Sequence, residues 1–333
     1  MAIEAPSQQW LDQVIEPTID PERIIVDPHH HLWNRPDWNY VLEHLWADTD
    51  TGHNVTKTVF LECRSNYSET GPEYLKPVGE TTFVEAIATA SREGIGSEIA
   101  GIVAHANLAS VHLDEILDAH KEAANGLLRG IRHSIARDTK PEALSIPGRA
   151  PEGLSSDEDF RRGLNRLGQR GLTYESWLYH HQILDFRDMA KATPNTTFVL
   201  DHFGTPLGVG AYSGQREKIF EIWREDIAAL SDCPNVVAKL GGLAMPDNGF
   251  GWEHRKLPPS SDEFVEEQAR YYHHTIQCFG ADRCMFESNF PVDRISISYH
   301  TLWNGLKKIA AEYREDEQTA LFSGTANRVY TLS

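Results

Sequence analysis

Histidines stand at the ends of the predicted β-strands, where their spacing could serve catalysis. The first strand ends in His29-His30-His31. Because side chains alternate across a strand, His29 and His31 point to one side and His30 to the other. Two imidazoles on one face can bind one cation, and a histidine from another strand can complete an open catalytic site. His180 and His202, at the ends of the fifth and sixth strands, are the candidates for this completion.

Two more predicted strands end in a histidine. His105 closes the third strand and His133 the fourth. A single histidine at a strand end is more often a hydrogen-bonded core or rim residue. Histidines at five strand ends favour a shared site, because unpaired buried polar groups are costly and a metal ion or a substrate would satisfy them. We therefore predict that His105 and His133 contact a substrate.

Two arginines and a tryptophan near the same strand ends are further candidates for substrate binding. Arg64 directly follows the second strand, and Arg132 precedes the histidine of the fourth. Arginine binds carboxylates in a bidentate way that lysine cannot copy, so both residues could hold an anionic substrate. For Arg132, an ion pair inside the fold is an equal alternative. Trp33 could form an apolar wall for a ring-shaped substrate or pack within its own loop.

The last predicted strand supplies carboxylates, in the run Phe286-Glu287-Ser288-Asn289-Phe290-Pro291-Val292-Asp293. Hydrolysis needs a carboxylate or an imidazole near the attacking water, with its pKa tuned by the pocket. Glu287 and Asp293 could orient or deprotonate water, whereas Asn289 could only orient it. Asp293 could also contact a substrate, or it could instead be a helix N-cap. Burial of Glu287 without a partner would be unfavourable, so we predict a functional role for it.

The elements that must position these residues alternate between short β-branched segments and longer segments with apolar residues three or four apart. This alternation implies crossover connections and a parallel sheet. Eight such units favour closure into a barrel, whose active site lies at the carboxyl ends of the strands. We predict an α/β protein with one (β/α)8 TIM-barrel domain over residues 24–333 and an N-terminal arm over residues 1–23. The predicted strands are 24–28, 57–63, 99–105, 127–133, 173–180, 196–202, 235–240 and 282–287, and the predicted helices are 81–93, 112–124, 184–192, 215–230 and 261–279.

The composition limits the partners. Lys+Arg number 31 against 49 Asp+Glu, and the formal charge of −18 disfavours binding to nucleic acid or anionic lipid. The N-terminus has no basic and apolar leader, and no apolar run approaches the ~20 residues of a membrane helix. The four cysteines lack C-x-x-C spacing, which indicates reduced thiols. We predict a cytoplasmic protein that acts on a small molecule, anionic or ring-containing, and we leave a homo-oligomer open.

Six motifs occur in order along the chain: V-D-P-H-H-H-L-W at 26–33, G-I-R-H at 130–133, L-D-H-F-G at 200–204, K-L-G-G-L at 239–243, F-E-S-N-F-P at 286–291 and T-A-N-R-V-Y at 325–330. Together they resemble the amidohydrolase-related family, a branch of TIM-barrel hydrolases that includes sugar lactonases and 2-pyrone-4,6-dicarboxylate lactonase. The resemblance covers most of the chain, although H-x-H alone is not specific.

The resemblance implies a (β/α)8 fold and hydrolysis of a lactone or a related ester or amide bond. His29 and His31 match the family's first-strand pair, and His202 matches the histidine after its sixth strand. His180 is similar to the histidine at the fifth strand. The resemblance also implies a divalent metal ion, with zinc as the first choice, bound by His29, His31 and His202.

One departure from the family pattern concerns Asn289, which stands where the family usually has an aspartate that binds the metal and takes the proton from water. Asparagine is neutral and cannot act as a base. Three outcomes stay open: a neighbour such as Glu287, Asp293 or a histidine takes the role, the enzyme works without metal, or catalysis is lost and the barrel only binds a ligand. The wider superfamily adds non-oxidative decarboxylation of a carboxylic acid, aromatic or not, as an alternative reaction.

Overall fold

The fold is built on one parallel sheet of eight strands. The computed structural model describes residues 6–332, and the strands neighbour one another in chain order. A parallel bridge between His30 and Phe290 connects the first strand to the segment after the last, which closes the sheet. The predicted (β/α)8 barrel is therefore confirmed. Its strands are β1 (Ile24–His30), β2 (Asn54–Leu61), β3 (Glu98–Ala104), β4 (Leu128–Arg132), β5 (Thr173–Ser176), β6 (Phe198–Leu200), β7 (Val236–Leu240) and β8 (Cys284–Phe286).

Helices surround the barrel. All five predicted helices are present, and one of them, Ser261–Phe279, begins with a capping box. The Ser260 hydroxyl accepts from the Glu263 backbone N–H at 3.2 Å, and the Glu263 carboxylate accepts from the Ser260 N–H at 2.9 Å. The helices are α1 (Gln8–Leu11), α2 (Leu42–Thr49), α3 (Val78–Glu93), α4 (Leu113–Ala123), α5 (Glu158–Gln169), α6 (Ile183–Ala192), α7 (Arg216–Ser231), α8 (Ser261–Phe279), α9 (Tyr299–Ala310), α10 (Glu315–Thr319) and α11 (Thr325–Val329).

Two apolar layers hold the strands in place. Because parallel strands of a barrel are buried on both faces, alternate residues pack inward and outward. Phe60 and Ile102, for example, belong to the large outer cluster that packs against the helices. The smaller inner cluster is made mainly of valine, with Ala326 and Tyr330 added by the C-terminal segment: it contains Val26, Val59, Leu61, Val103, Val199, Val237 and Met285.

The described part of the predicted N-terminal arm, residues 6–23, packs on the outside of the barrel. The Trp10 indole N–H donates to the carbonyl of Arg255 at 3.0 Å. The Glu16 carboxylate accepts from the Ser261 N–H at 2.7 Å, at the start of α8. Residues 1–5 and 333 lie outside the described residues, and the boundary between arm and barrel stays a prediction.

The structure also bears on the cysteines and on the search for a membrane-spanning helix. The four cysteines are unpaired, and Cys233 and Cys284 are buried. Between residues 6 and 332, no helix has both the length and the apolar character needed to span a membrane.

Candidate active site

Buried charged residues form a layer at the carboxyl ends of the strands. This charged layer consists of Arg132, Glu175, Asp201, Lys239 and Glu287, from β4 to β8 or the residues that follow them. Lys239 Nζ lies 2.6 Å from Glu175 Oε2 and 3.8 Å from Asp201 Oδ1. Arg132 Nη1 lies 3.4 Å from Asp201 Oδ2. Lys239, whose direction strand alternation alone leaves open, therefore points into the barrel.

The first-strand histidines lie beside this layer. His29 and His31 are both buried, and their Nε2 atoms are 3.3 Å apart. His31 Nδ1 is 2.8 Å from the Leu61 carbonyl, so Nδ1 carries the proton and Nε2 is free to accept. Burial lowers the pKa of His31 well below its ordinary value, which keeps the ring neutral. His30 faces the other way, with Nε2 3.1 Å from the Thr58 hydroxyl.

Glu287 lies between two histidines that come from different strands. Its Oε1 is 2.7 Å from His202 Nδ1, and its Oε2 is 2.6 Å from His29 Nδ1. Burial raises the pKa of Glu287 well above its ordinary value and lowers the pKa of His202 to about 3. Among residues 6–332, His29 Nδ1 and Glu287 Oε2 have no hydrogen-bond partner in suitable geometry. Since both atoms are buried without a hydrogen-bond partner, each can accept a further ligand.

Two consecutive glycines make room for this arrangement. A Cβ on Gly242 would lie 2.3 Å from His202 Nδ1, and a Cβ on Gly241 would lie 2.4 Å from Glu287 Cγ. Gly242 also has a φ of +74°, a conformation that side chains rarely adopt. His202 has a φ of +53°, which is uncommon for a residue with a Cβ and turns its ring at the end of β6. The G-G pair of the K-L-G-G-L motif is thus required sterically.

The site has a set of donors that suits a divalent cation. One ligand atom each from His29, His202 and Glu287 lies within 4.8 Å of the others. Imidazole nitrogen and carboxylate oxygen are zinc ligands, and the two unpartnered buried atoms, His29 Nδ1 and Glu287 Oε2, belong to residues of this set. The donors therefore fit a metal ion. The set differs from the predicted one, because Glu287 takes the place expected for His31.

Arg132 is held by carboxylates on two sides. Its Nε donates to Glu62 Oε1 at 3.0 Å, and an Nη–H donates to the Glu62 carbonyl. Its Nη1 also lies 3.4 Å from His29 Nε2. The ion pair that we considered as the alternative to substrate binding is thus present. Arg64, by contrast, is exposed just beyond β2 and remains available to a substrate.

Trp33 lies next to the histidine pair. Its ring stacks on that of His31, with centroids 6.3 Å apart and an angle of 19° between the planes. The side chain is buried, and its indole N–H has no acceptor within residues 6–332. The guanidinium of Arg35 lies 4.6 Å above the same ring. Trp33 also packs within its own loop, with its ring centroid 5.1 Å from that of Trp38, so the loop-packing alternative is present and an unused donor adjoins His31.

The other strand-end histidines are placed differently from our expectation. His133 turns outward, where Nδ1 accepts from the Leu108 N–H at 3.2 Å and the ring packs on Phe160 of α5. This orientation gives no support to substrate contact by His133, which stays a prediction, and the inward position of β4 belongs to Arg132. His105 Nδ1 is 3.0 Å from the Arg132 carbonyl, so it braces the backbone of β4.

His180 is also separate from the central cluster. Its Nδ1 accepts from the Leu207 N–H at 3.3 Å, and its ring packs on His181 and Tyr212. It does not join the donor set of His29, His202 and Glu287. The fifth strand contributes Glu175 to the charged layer instead.

In the segment after β8, the side chains of Asn289 and Asp293 are hydrogen-bonded to each other. Asn289 Nδ2 donates to Asp293 Oδ1 at 2.7 Å, and the Ala244 N–H donates to Asp293 Oδ2 at 3.1 Å. Both Asp293 oxygens are therefore occupied, and burial raises the pKa of this carboxyl well above its ordinary value. These contacts give no support to substrate binding by Asp293, which stays a prediction, and Glu287 is the carboxylate at the histidines.

Sequence reasoning missed three members of the site. Glu62 follows β2 and pairs with Arg132. Asp201 pairs with both Arg132 and Lys239, and Glu175 pairs with Lys239. Glu62 and Glu175 lie inside predicted strand segments, and Asp201 precedes His202. Side-chain alternation, applied to every predicted strand rather than only to histidines, was the signal that could have found them.

Comparison with known proteins gives the family. Residues 26–332 match the model of the amidohydrolase family. An uncharacterised protein of Sinorhizobium fredii is 31% identical over 330 residues, which cover 92% of this chain and 98% of that protein. An L-fucono-1,5-lactonase of Burkholderia multivorans is 27% identical over 318 residues, which cover 92% of this chain and 96% of that enzyme.

A solved structure supports the fold. A zinc-bound amidohydrolase of Burkholderia multivorans superposes with a TM-score of 0.74 at 22% sequence identity, over 93% of this chain and 100% of that one. The match to the family model extends over nearly the whole barrel, including every strand that carries the charged layer. The chain therefore belongs to the amidohydrolase family.

Proposed function

We propose that this protein is a hydrolase that opens a lactone or a related cyclic ester with water, at the carboxyl ends of the barrel strands. The observation that carries the proposal is Glu287, which lies within 2.7 Å of imidazole nitrogens of both His29 and His202. A carboxylate and an imidazole in contact are a common acid–base pair for acyl transfer to water. The similarity to an L-fucono-1,5-lactonase supports the choice of a lactone.

In this proposal His202 is the general base, and an ionised Glu287 opposes the burial that lowers the pKa of its imidazole. When Glu287 is ionised, its Oε1 accepts the His202 Nδ1–H, which fixes the tautomer and leaves Nε2 able to take a proton from water. The negative charge of Glu287 then stabilises the imidazolium that forms. Asn289 cannot take this role, since its amide is neutral and donates to Asp293. Arg132, fixed by Glu62 and Asp201, would stabilise negative charge that develops on the substrate.

We further propose that His29, His202 and Glu287 can hold a divalent cation, with zinc as the first candidate. A bound divalent ion would polarise the ester carbonyl and lower the pKa of its water from ~15.7 towards ~7. Binding of the ion and base catalysis by His202 are alternative uses of the site, because both require the oxygens of Glu287. Catalysis without metal therefore remains part of the proposal.

The substrate in this proposal is a small ring-containing molecule that carries negative charge. Exposed Arg64 would meet the charge at the entrance, and Trp33 would pack against the ring. The cytoplasmic location and the oligomeric state stay predictions.

The test is turnover of a panel of sugar and aromatic lactones by purified protein, with elemental analysis and assays before and after chelation. We expect a ring-opened acid as product. Release of CO2 from a carboxylic acid would instead establish the decarboxylase alternative. Full turnover with an empty site would exclude the metal-dependent form, and stoichiometric metal with activity lost on chelation would exclude the metal-free form.

A further inference from the structure

The buried cation Lys239 has no part in the donor set or in the proton transfer described above. Its side chain is fully buried, at 0% exposure. Two contacts fix its ammonium group: Nζ lies 2.6 Å from Glu175 Oε2 and 5.5 Å from the centroid of the Tyr330 ring. Burying a lysine is costly unless its charge is paired, and Glu175 supplies that pairing. The pair fixes a positive charge inside the barrel.

The surroundings of Lys239 connect it to the histidines. Nζ lies 3.8 Å from Asp201 Oδ1, and the same oxygen lies 3.9 Å from His29 Nδ1. One carboxylate oxygen thus separates the ammonium group from a nitrogen of the donor set. Asp201 Oδ1 has no hydrogen-bond partner within the described residues, so it can compensate positive charge on either side.

The charges of the layer taken together with Glu62, the partner of Arg132, do not cancel. The buried carboxylates Glu62, Glu175, Asp201 and Glu287 face two buried cations, Arg132 and Lys239. If all six groups are ionised, the formal charge is four negative and two positive, or −2. A divalent cation would neutralise this excess. Like charges within several ångströms in a partly desolvated site repel strongly, so each fixed cation opposes the arrival of another.

We propose that Lys239 is a built-in counter-charge, which keeps the affinity of His29, His202 and Glu287 for a divalent cation low. By occupying one side of Asp201, the ammonium group supplies part of the positive charge that a metal ion would bring. The His202–Glu287 contact can then persist without metal. This inference rests on the metal site proposed above, but not on the identity of the substrate.

The experiment is titration of chelator-treated enzyme with Co²⁺, followed by calorimetry and by the visible absorption of the bound ion. For Lys239→Met we expect the Kd to fall at least about tenfold relative to the unchanged protein, which corresponds to about 1.4 kcal/mol. The matched variant is Glu175→Gln, which removes the opposite charge at the same depth. There we expect the Kd to rise, because the negative charge opposite Lys239 is lost while the positive charge of Lys239 remains.

A Kd that falls in Lys239→Met and rises in Glu175→Gln separates this role from a merely structural one, since damage to the site would weaken Co²⁺ binding in both variants. An unchanged or higher Kd in Lys239→Met, with a circular dichroism spectrum like that of the unchanged protein, would overturn the proposal. If Lys239→Met does not fold, Glu175→Gln decides, and a Kd that is unchanged or lower overturns the proposal. Absence of Co²⁺ binding in both the unchanged protein and Lys239→Met would also overturn it. Lactone turnover is measured separately, so its absence would refute the proposed function without affecting the Co²⁺ result.

Discussion

Replacement of Glu287 by glutamine tests the proposed acid–base pair most directly. The change keeps the size of the side chain, and the amide oxygen can still accept the His202 Nδ1–H. The negative charge is lost, and with it the charge assistance of a 2.7 Å hydrogen bond. A hydrogen bond to a charged group contributes about 1.5–3 kcal/mol. At about 1.4 kcal/mol per factor of ten in rate, kcat should fall roughly 10- to 150-fold.

The assay is steady-state hydrolysis of the best lactone of the panel, with kcat and KM determined separately. The loss should appear in kcat with little change in KM, because the charge acts on the imidazolium of the transition state. A suitable control is Glu16→Gln, a change of the same kind in the N-terminal arm, where the carboxylate accepts from Ser261. If Glu287→Gln folds and retains the kcat of the unchanged protein, Glu287 does not assist catalysis and the proposed mechanism is wrong.

Three further predictions concern the supports of the site. Gly242→Ala should abolish turnover, because the new Cβ would lie 2.3 Å from His202 Nδ1 in a backbone with φ of +74°; activity and thermal unfolding measure it. Asn289→Asp should lower the free energy of unfolding by about 1–3 kcal/mol without raising activity, because it sets a carboxylate against Asp293, and urea unfolding measures it. A gain of activity would favour a barrel that had lost catalysis. Burial raises the pKa of Glu80, a buried residue of α3, to about 8. The folded state therefore binds this proton more tightly than the unfolded state, and the free energy of unfolding should fall as pH rises from about 4.5 to about 8. Glu80→Gln should weaken that fall, since its amide oxygen can accept the same backbone N–H groups, and urea midpoints at about pH 5 and about pH 9 compare the two proteins.

The sequence predicted the barrel because each of its signals is local. Alternation of β-branched and amphipathic segments depends on neighbouring residues only, and a capping box such as Ser260 with Glu263 marks a helix start within four positions. No helix was predicted over α5, although one side of it is polar and Asp157 caps its start. The Asp157 carboxylate accepts from the Phe160 N–H at 2.8 Å. The interruption of α5 by glycine and arginine residues hid the apolar spacing.

The candidate site was predictable only in part, because strand alternation was applied to histidines more readily than to charged residues. His29 and His31 were correctly expected to share a side, as their adjacent Nε2 atoms show. The same rule places Arg132 inward and His133 outward on β4, yet the histidine was expected at the substrate. Pairing across the barrel, such as Lys239 with Glu175, involves residues 64 positions apart and has no local signal.

The position of Glu287 is consistent with the proposal that the segment after β8 serves acid–base chemistry without an aspartate at residue 289. Glu287 directly follows the last strand, and its side chain reaches both His29 and His202. Asn289 lies two residues further on, in a left-handed conformation with φ of +56°, and its amide turns to Asp293. A carboxylate at Asn289 would therefore meet another carboxylate rather than the histidines. The proposed mechanism places the negative charge at Glu287, and the neutral amide at residue 289 keeps the neighbouring Asp293 bonded.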